Sequence, residues 1–320
     1  MEPALPPLHP RIPALFEHLK LRIVDVIKWN VLACTEVDNP DPQAKWIIKL
    51  GVDERKSEGL AYETRVLREV LPTVDQSEFE RLVLPEYVDD GLFEGIHWLR
   101  TINIPGKRLV YQWSELAYKP EVLGGAGMDQ DIARLAIDVL RDLRTVDISS
   151  MPAFVRRFNF SKWLEEFRYR SGLLVGGGFM EKATVEGALE LFSSKRNVRY
   201  EGSMFTNGDF YPRNFIILPG GEKVALVDWV GGVDPWEFVA MRAWLLMWGS
   251  PRWQIEYARG IKRHFPVDLE EMRIGMLVGA FDMAYRWHEE PEESVGFART
   301  QMLAYFRRCL DISYVNSVFT

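Results

Sequence analysis

Residues 204–229, MFTNGDFYPRNFIILPGGEKVALVDW, constrain this chain more than any other stretch. Two short runs rich in Ile, Leu, Val and Phe, Phe215 to Leu218 and Lys223 to Val227, flank the turn sequence Pro219-Gly-Gly221. Turn formers between two β-rich runs read as a hairpin, because glycine supplies the positive φ that a tight reversal needs. A hairpin here gathers three polar groups at one end: Asp209 and Asn214 before the first strand and Asp228 after the second.

A loop carboxylate, an amide five residues later and a carboxylate beyond a hairpin form the layout of kinase-type phosphoryl transfer. In that chemistry one Asp accepts the proton of the attacking hydroxyl, while the Asn and the second Asp hold magnesium ions that bridge the nucleotide phosphates. NGDFYPRN followed by VDW resembles the catalytic and metal-binding segments of the aminoglycoside phosphotransferase family, whose kinase-like fold is shared with choline kinases. The resemblance implies that Asp209 is the catalytic base, that Asn214 and Asp228 are Mg2+ ligands, and that ATP or GTP is the co-substrate. The family's usual His-Gly-Asp opens here with Asn207. That change falls on a structural hydrogen-bonding position and not on the proton acceptor.

Upstream, LRIVDVIKW, NVLACTEV and AKWIIKLG are three β-rich runs. A helical pattern follows over Ser57–Leu71, with Leu60, Val66, Leu67, Val70 and Leu71 as its apolar stripe. Glu63 lies on that same inward stripe, and an unpaired carboxylate there would be strongly unfavourable. Lys49, fourteen residues earlier on a neighbouring strand, is the expected partner. This is the strand-lysine to helix-glutamate pair that positions nucleotide phosphates in kinases. Further on, RLVLPEYVDD and GIHWLRTINI read as strands joined at Asp89-Asp90-Gly91. Thr101-Ile-Asn-Ile-Pro-Gly106 resembles the family's connection between lobes, which implies that the backbone of Ile102, Asn103 and Ile104 meets the nucleotide base. The loop near Ile27 to Val31 has no glycine, where kinases place glycine so that backbone amides approach the phosphates. Asn30 stands where the family's loop often carries Asn.

From Gly106 onward the pattern turns helical, with an amphipathic stretch over Asp129–Val146 and others over Ser161–Arg170, Glu181–Phe192 and Trp236–Trp248. The glycine clusters at 124–127 and 176–178 read as loops and not as phosphate cradles, since no strand leads into either. The expected fold is α+β and two-lobed, protein-kinase-like: residues 1–104 as a small antiparallel β-sheet lobe with one helix, and residues 105–320 as a larger, mainly helical lobe. A net charge of −7 disfavours nucleic acid or an anionic membrane as partner. The most apolar stretch, Phe238–Trp248, is too short to span a bilayer and carries Arg242. Two distant cysteines, Cys34 and Cys309, fit a reducing cytoplasm.

The expected activity is transfer of a γ-phosphoryl group to a hydroxyl of a small molecule. Two alternatives stand beside it: a choline- or homoserine-type metabolite kinase, and a nucleotide-binding regulatory relative without turnover. For the acceptor, Glu289, Glu290, Glu292 and Glu293 next to Trp287 suggest a cationic compound, because the family's C-terminal acidic residues hold substrate amines. Oligomeric state is not readable from the sequence.

Overall fold

Strong β formers set the N-terminal half. A computed structural model describes residues 9–41, 43–108, 128–194, 201–288 and 292–320. Helix α1 (Ile12–His18) leads into strands β1 (Leu21–Lys28), β2 (Val31–Glu36) and β3 (Trp46–Gly51). After helix α2 come β4 (Leu82–Val83), β5 (Tyr87–Phe93) and β6 (Ile96–Ile102). β1, β2, β3, β6 and β5 form an antiparallel sheet in that order. Ile12, Leu15 and Phe16 of α1 pack with Leu32, Ile48 and Leu50 to close one part of its core. The β5–β6 reversal lies at Glu94-Gly95, both with positive φ (47° and 83°), and not at Asp89-Asp90-Gly91. Two consecutive positive φ values make the tight hairpin turn whose twist matches the strands. Asp89 and Asp90 stay in β5 because Arg100 and Arg68 balance their charges.

Helix α2 (Glu54–Arg65) starts where Asp53 accepts a hydrogen bond from the Lys56 amide at 2.8 Å, three residues before the expected start. An N-cap carboxylate satisfies one of the free first-turn amides. It also ends sooner than the apolar stripe suggested. Val66–Val70 widen into a π-helical turn, and Leu71–Thr73 tighten into a 3-10 turn. Val66, Leu67, Val70 and Leu71 of this widened segment are all buried.

The second half is mainly helical. Its long elements are α3 (Met128–Thr145), α4 (Phe160–Gly176), α5 (Lys182–Ser194), α6 (Trp236–Leu246), α7 (Pro251–His264), α8 (Leu269–Arg286), α9 (Glu292–Cys309) and α10 (Ile312–Phe319). α6 packs on α8, α8 on α9 and α3 on α7. Aromatics of the helical half belong to this core: Phe167, Phe281 and Phe306 pack against one another with exposures of 0%. The hairpin expected at residues 215–227 is present as β10 (Phe215–Ile217) and β11 (Val224–Leu226). It is extended on either side by β7 (Lys107–Arg108) and β4, so chain from before and after the base-binding connection braces it. A third, small sheet joins β8 (Arg156–Arg157), β12 (Gly232–Asp234) and β9 (Met204–Phe205). Cys34 and Cys309 are free and buried, and burial pushes both thiols up to about 12. The glycine cluster at 124–127 lies outside the described residues. No helix among the described residues is long and apolar enough to cross a membrane.

Candidate active site

The hairpin places its three polar groups as its sequence implied. Asn214 ends a 3-10 turn over Pro212–Asn214 and is 5% exposed. Its Nδ2 donates to the Asp209 backbone oxygen at 2.7 Å and to Asp209 Oδ2 at 3.1 Å. With the amide nitrogen engaged, the Asn214 carbonyl oxygen remains as an acceptor toward the pocket that it lines together with Asp228. Asp228 takes the left-handed backbone conformation, with φ 62°. Asp tolerates that region better than most residues because its short side chain bonds locally. Gly208 (φ 78°) and Gly231 lie backbone against backbone, and a Cβ on either would collide with the other. That close approach brings the Asp209 loop next to the Asp228 loop.

Asn207 holds the junction. It is fully buried, donates from Nδ2 to Val227 O at 2.7 Å, and accepts from the Asp209 amide at 3.3 Å. Its own carbonyl accepts from the Val230 amide at 3.1 Å. The residue that departs from the expected His thus ties the strand before Asp228 to the loop of Asp209.

Lys49 and Glu63 meet as the helical stripe predicted. Lys49 Nζ lies 2.6 Å from Glu63 Oε1 and 2.6 Å from Asp228 Oδ1. Burial alone would pull the Lys49 ammonium down, but the charges of Asp228 and Glu63 outweigh it and raise it above the ordinary lysine range. Glu63 is 4% exposed and also accepts from the Trp229 amide at 3.1 Å, so its position is set by two partners. Tyr62, one residue earlier on α2, donates to Gly231 O at 2.6 Å and fixes α2 to the Asp228 loop.

The base-binding connection also takes shape. The Ile102 amide donates to Glu86 O and the Asn103 amide to Lys45 O, whereas the Ile104 amide has no acceptor among the described residues. Ile102 and Ile104 line an apolar slot with Val31, Ile47 and Ile216, open toward Lys49 and Asp228. The glycine-free loop is a tight β1–β2 reversal, pinned by Asn30 to Leu50. Lys28 from that reversal stands 3.9 Å from Asp228 Oδ2, so a side-chain ammonium faces the site there.

Arg242 was missed as a site residue. From α6 its guanidinium donates to Asp209 Oδ1 at 2.9 Å and, through its other nitrogen, to Gly208 O. It is the one charge in the apolar run 238–248, and such a charge demands a buried partner, which was the signal available. Behind it, burial pushes Asp234 up to about 6, with Arg242 opposing and Asp282 adding to the rise. Of the expected acceptor residues, Glu289 and Glu290 lie outside the described residues, as do the side chains of Glu292 and Glu293. Trp287 closes α8 as its C-cap and packs against the core.

No protein-family model and no curated protein sequence matches the chain. Solved structures do. Aminoglycoside phosphotransferase APH(4)-Ia aligns over 95% of this chain and 97% of its own, at TM-score 0.60 and 15% identity. ADP-bound aminoglycoside phosphotransferase APH(2'')-Ib covers 93% of this chain and 97% of its own, at TM-score 0.57 and 12% identity. Macrolide 2'-phosphotransferase MphH from Brachybacterium faecium covers 90% and 96%, at TM-score 0.55 and 15% identity. Over nearly its whole described length, this chain has the kinase-like fold of the aminoglycoside and macrolide phosphotransferases.

Proposed function

We propose that the protein transfers the γ-phosphoryl group of ATP or GTP to a hydroxyl of a small molecule. One observation carries this reading: Lys49, Glu63 and Asp228 form a connected ion-pair set beside Asp209 and Asn214, at the mouth of an apolar slot. The attacking hydroxyl oxygen bonds to the γ-phosphorus. The bond to the β–γ bridging oxygen breaks, and the departing nucleoside diphosphate keeps its electron pair. Asp209 accepts the hydroxyl proton while Arg242 and Asn214 hold its two carboxylate oxygens in place. Lys49, oriented by Glu63, binds the nucleotide phosphates. Asn214 and Asp228 offer two hard oxygen donors, the set suited to magnesium that keeps its remaining positions for phosphate and water. The metal neutralises phosphate charge when bound. The slot lined by Ile47, Ile102 and Ile104 takes the base, with the Ile104 amide as donor.

The related structures support the nucleotide and the class of acceptor. APH(4)-Ia has been solved with AMP-PNP and hygromycin B, and aminoglycoside 2'-phosphotransferase-IIIa with GDP. The test pairs binding with turnover. Mg-ATP or Mg-GTP at a hundredfold excess over its dissociation constant is expected to stabilise the fold by about 2.7 kcal/mol. Asp228→Ala is expected to lose the magnesium-dependent part of that stabilisation. Diphosphate release should then depend on an added hydroxyl compound, read across a panel of hydroxylated metabolites and antibiotics. An Asp228→Ala variant with a wild-type magnesium response, or nucleotide binding with no acceptor phosphorylated, would overturn the reading.

A further inference from the structure

Beyond the nucleotide slot, the cleft opens into a second cavity of about 320 Å³ that Asp209 and Asp228 share. Its charges are unevenly committed. The carboxylates on its wall are Glu63, Asp209 and Asp228 among the described residues. Lys49 bridges two of them, and Arg242 bonds the third. Among the described residues, no carboxylate on this wall is left to hold an ammonium group of an acceptor.

The cations are not all matched in this way. Lys56, in the first turn of α2, sits 3.3 Å from Asp53 and 3.5 Å over the Trp29 ring. Arg286, in the last turn of α8, also lines the cavity. It makes no hydrogen bond or ion pair among the described residues. The charges acting on it are Arg242, Asp209, Asp282 and Arg55, so it belongs to the Asp209 side of the cleft. Asp282, one turn earlier on α8, acts on it favourably but forms no hydrogen bond or ion pair with it. That carboxylate accepts from Trp163 Nε1 at 3.0 Å and faces Arg170 at 3.8 Å. Crowding by surrounding protein, and then the like charge of Arg242, push the Arg286 guanidinium below its ordinary range. A bound anion relieves that crowding of like charge, and a guanidinium fork fits carboxylate or phosphate oxygens in bidentate fashion.

We propose that the acceptor is an anionic hydroxyl compound, a hydroxy acid or a sugar phosphate, whose anionic group pairs with Arg286 while its hydroxyl meets Asp209. The reaction is the one given above, and the inference rests on that reading for turnover but not for anion binding. The experiment therefore separates the two. Calorimetry on the Mg-ADP-loaded protein compares D-glycerate, ribose 5-phosphate, glycerol and kanamycin, in wild type, Arg286→Gln and Arg286→Lys. The two anions are expected to bind more tightly than glycerol and kanamycin, and the tighter of the two names the source of the charge. Arg286→Gln should weaken that binding about tenfold or more, Arg286→Lys less, and added salt should weaken it in the wild type. The same compounds are then tried as acceptors with Mg-ATP and Mg-GTP. Tighter binding of kanamycin or glycerol, or equal anion affinity in Arg286→Gln, would overturn the anion site. Arg286-dependent anion binding without any phosphoryl transfer would uphold the site and overturn the phosphotransferase reading instead.

Discussion

Asn207 offers the sharpest perturbation, because its side chain touches neither nucleotide nor acceptor in the proposed reaction yet joins both halves of the site. Replacing it with Ala removes the bond to Val227 O at 2.7 Å and the bond from the Asp209 amide at 3.3 Å. The site is fully buried at Asn207, so water does not readily replace the lost partners. Loss of these bonds, and of the longer ones to Asp209 O and from Thr206 Oγ1, strands buried polar groups at about 1–3 kcal/mol each and gives a destabilisation on the order of 3 kcal/mol. Activity should fall further than stability explains. The Asn207 side chain helps hold Asp209 and Asp228 in register, and a misplacement of about 1 Å at a reacting group lowers rate roughly a hundredfold. Asn207→His keeps a ring N–H that can donate to Val227 O, so it should retain more turnover than Asn207→Ala. The assay is denaturant unfolding together with acceptor-dependent diphosphate release. If Asn207→Ala unfolds at the wild-type midpoint and turns over at the wild-type rate, the buried amide does not organise the site.

Two further predictions use other groups. Lys49→Met and Glu63→Gln should each slow transfer, and the double variant should lose less than the sum, by a coupling of about 1–3 kcal/mol in a double-mutant cycle; strict additivity would mean that the 2.6 Å contact is unimportant in turnover. Burial raises Glu237 from 4.5 to about 7, with Glu271 adding to the rise and Arg144 opposing it. A raised carboxyl pKa means that the folded state binds the extra proton, so stability is greatest below about 4.5 and declines as pH climbs toward 7, by up to about 3 kcal/mol from this group. Glu237→Gln should flatten that decline in urea unfolding followed across pH, and an unchanged slope would refute the assignment.

The parts of the fold that were legible in sequence are those where one local rule dominates. Pro219-Gly-Gly221 between two β-rich runs fixed the hairpin, and an inward carboxylate at Glu63 demanded the Lys49 that it meets. Where rules competed, the reading failed. Asp89-Asp90-Gly91 has turn composition, but Arg100 and Arg68 neutralise the two carboxylates in place and leave the reversal to Glu94-Gly95. The apolar stripe after Glu63 continued at helical spacing, yet packing drew it into a π-helical turn that spacing alone does not announce. Arg242 was visible only as an odd charge in an apolar run, since its partner Asp209 lies 33 residues away and only the fold brings them together. Arg286 had no sequence signal at all, because the proposal for it rests on its having no hydrogen-bond or ion-pair partner among the described residues, which only the fold reveals.

The central claim is that Asp209 takes the proton of the acceptor hydroxyl. Asp209→Asn preserves volume and keeps one oxygen, which can accept from Arg242 or from Asn214 but not from both, so it removes the base at the loss of one of these two hydrogen bonds. Single-turnover transfer by rapid quench, with Mg-nucleotide affinity measured on the same sample, isolates that step. Loss of general-base catalysis predicts a rate lower by about 10²–10⁴-fold with nucleotide affinity unchanged. Transfer by Asp209→Asn at the wild-type rate would contradict the account.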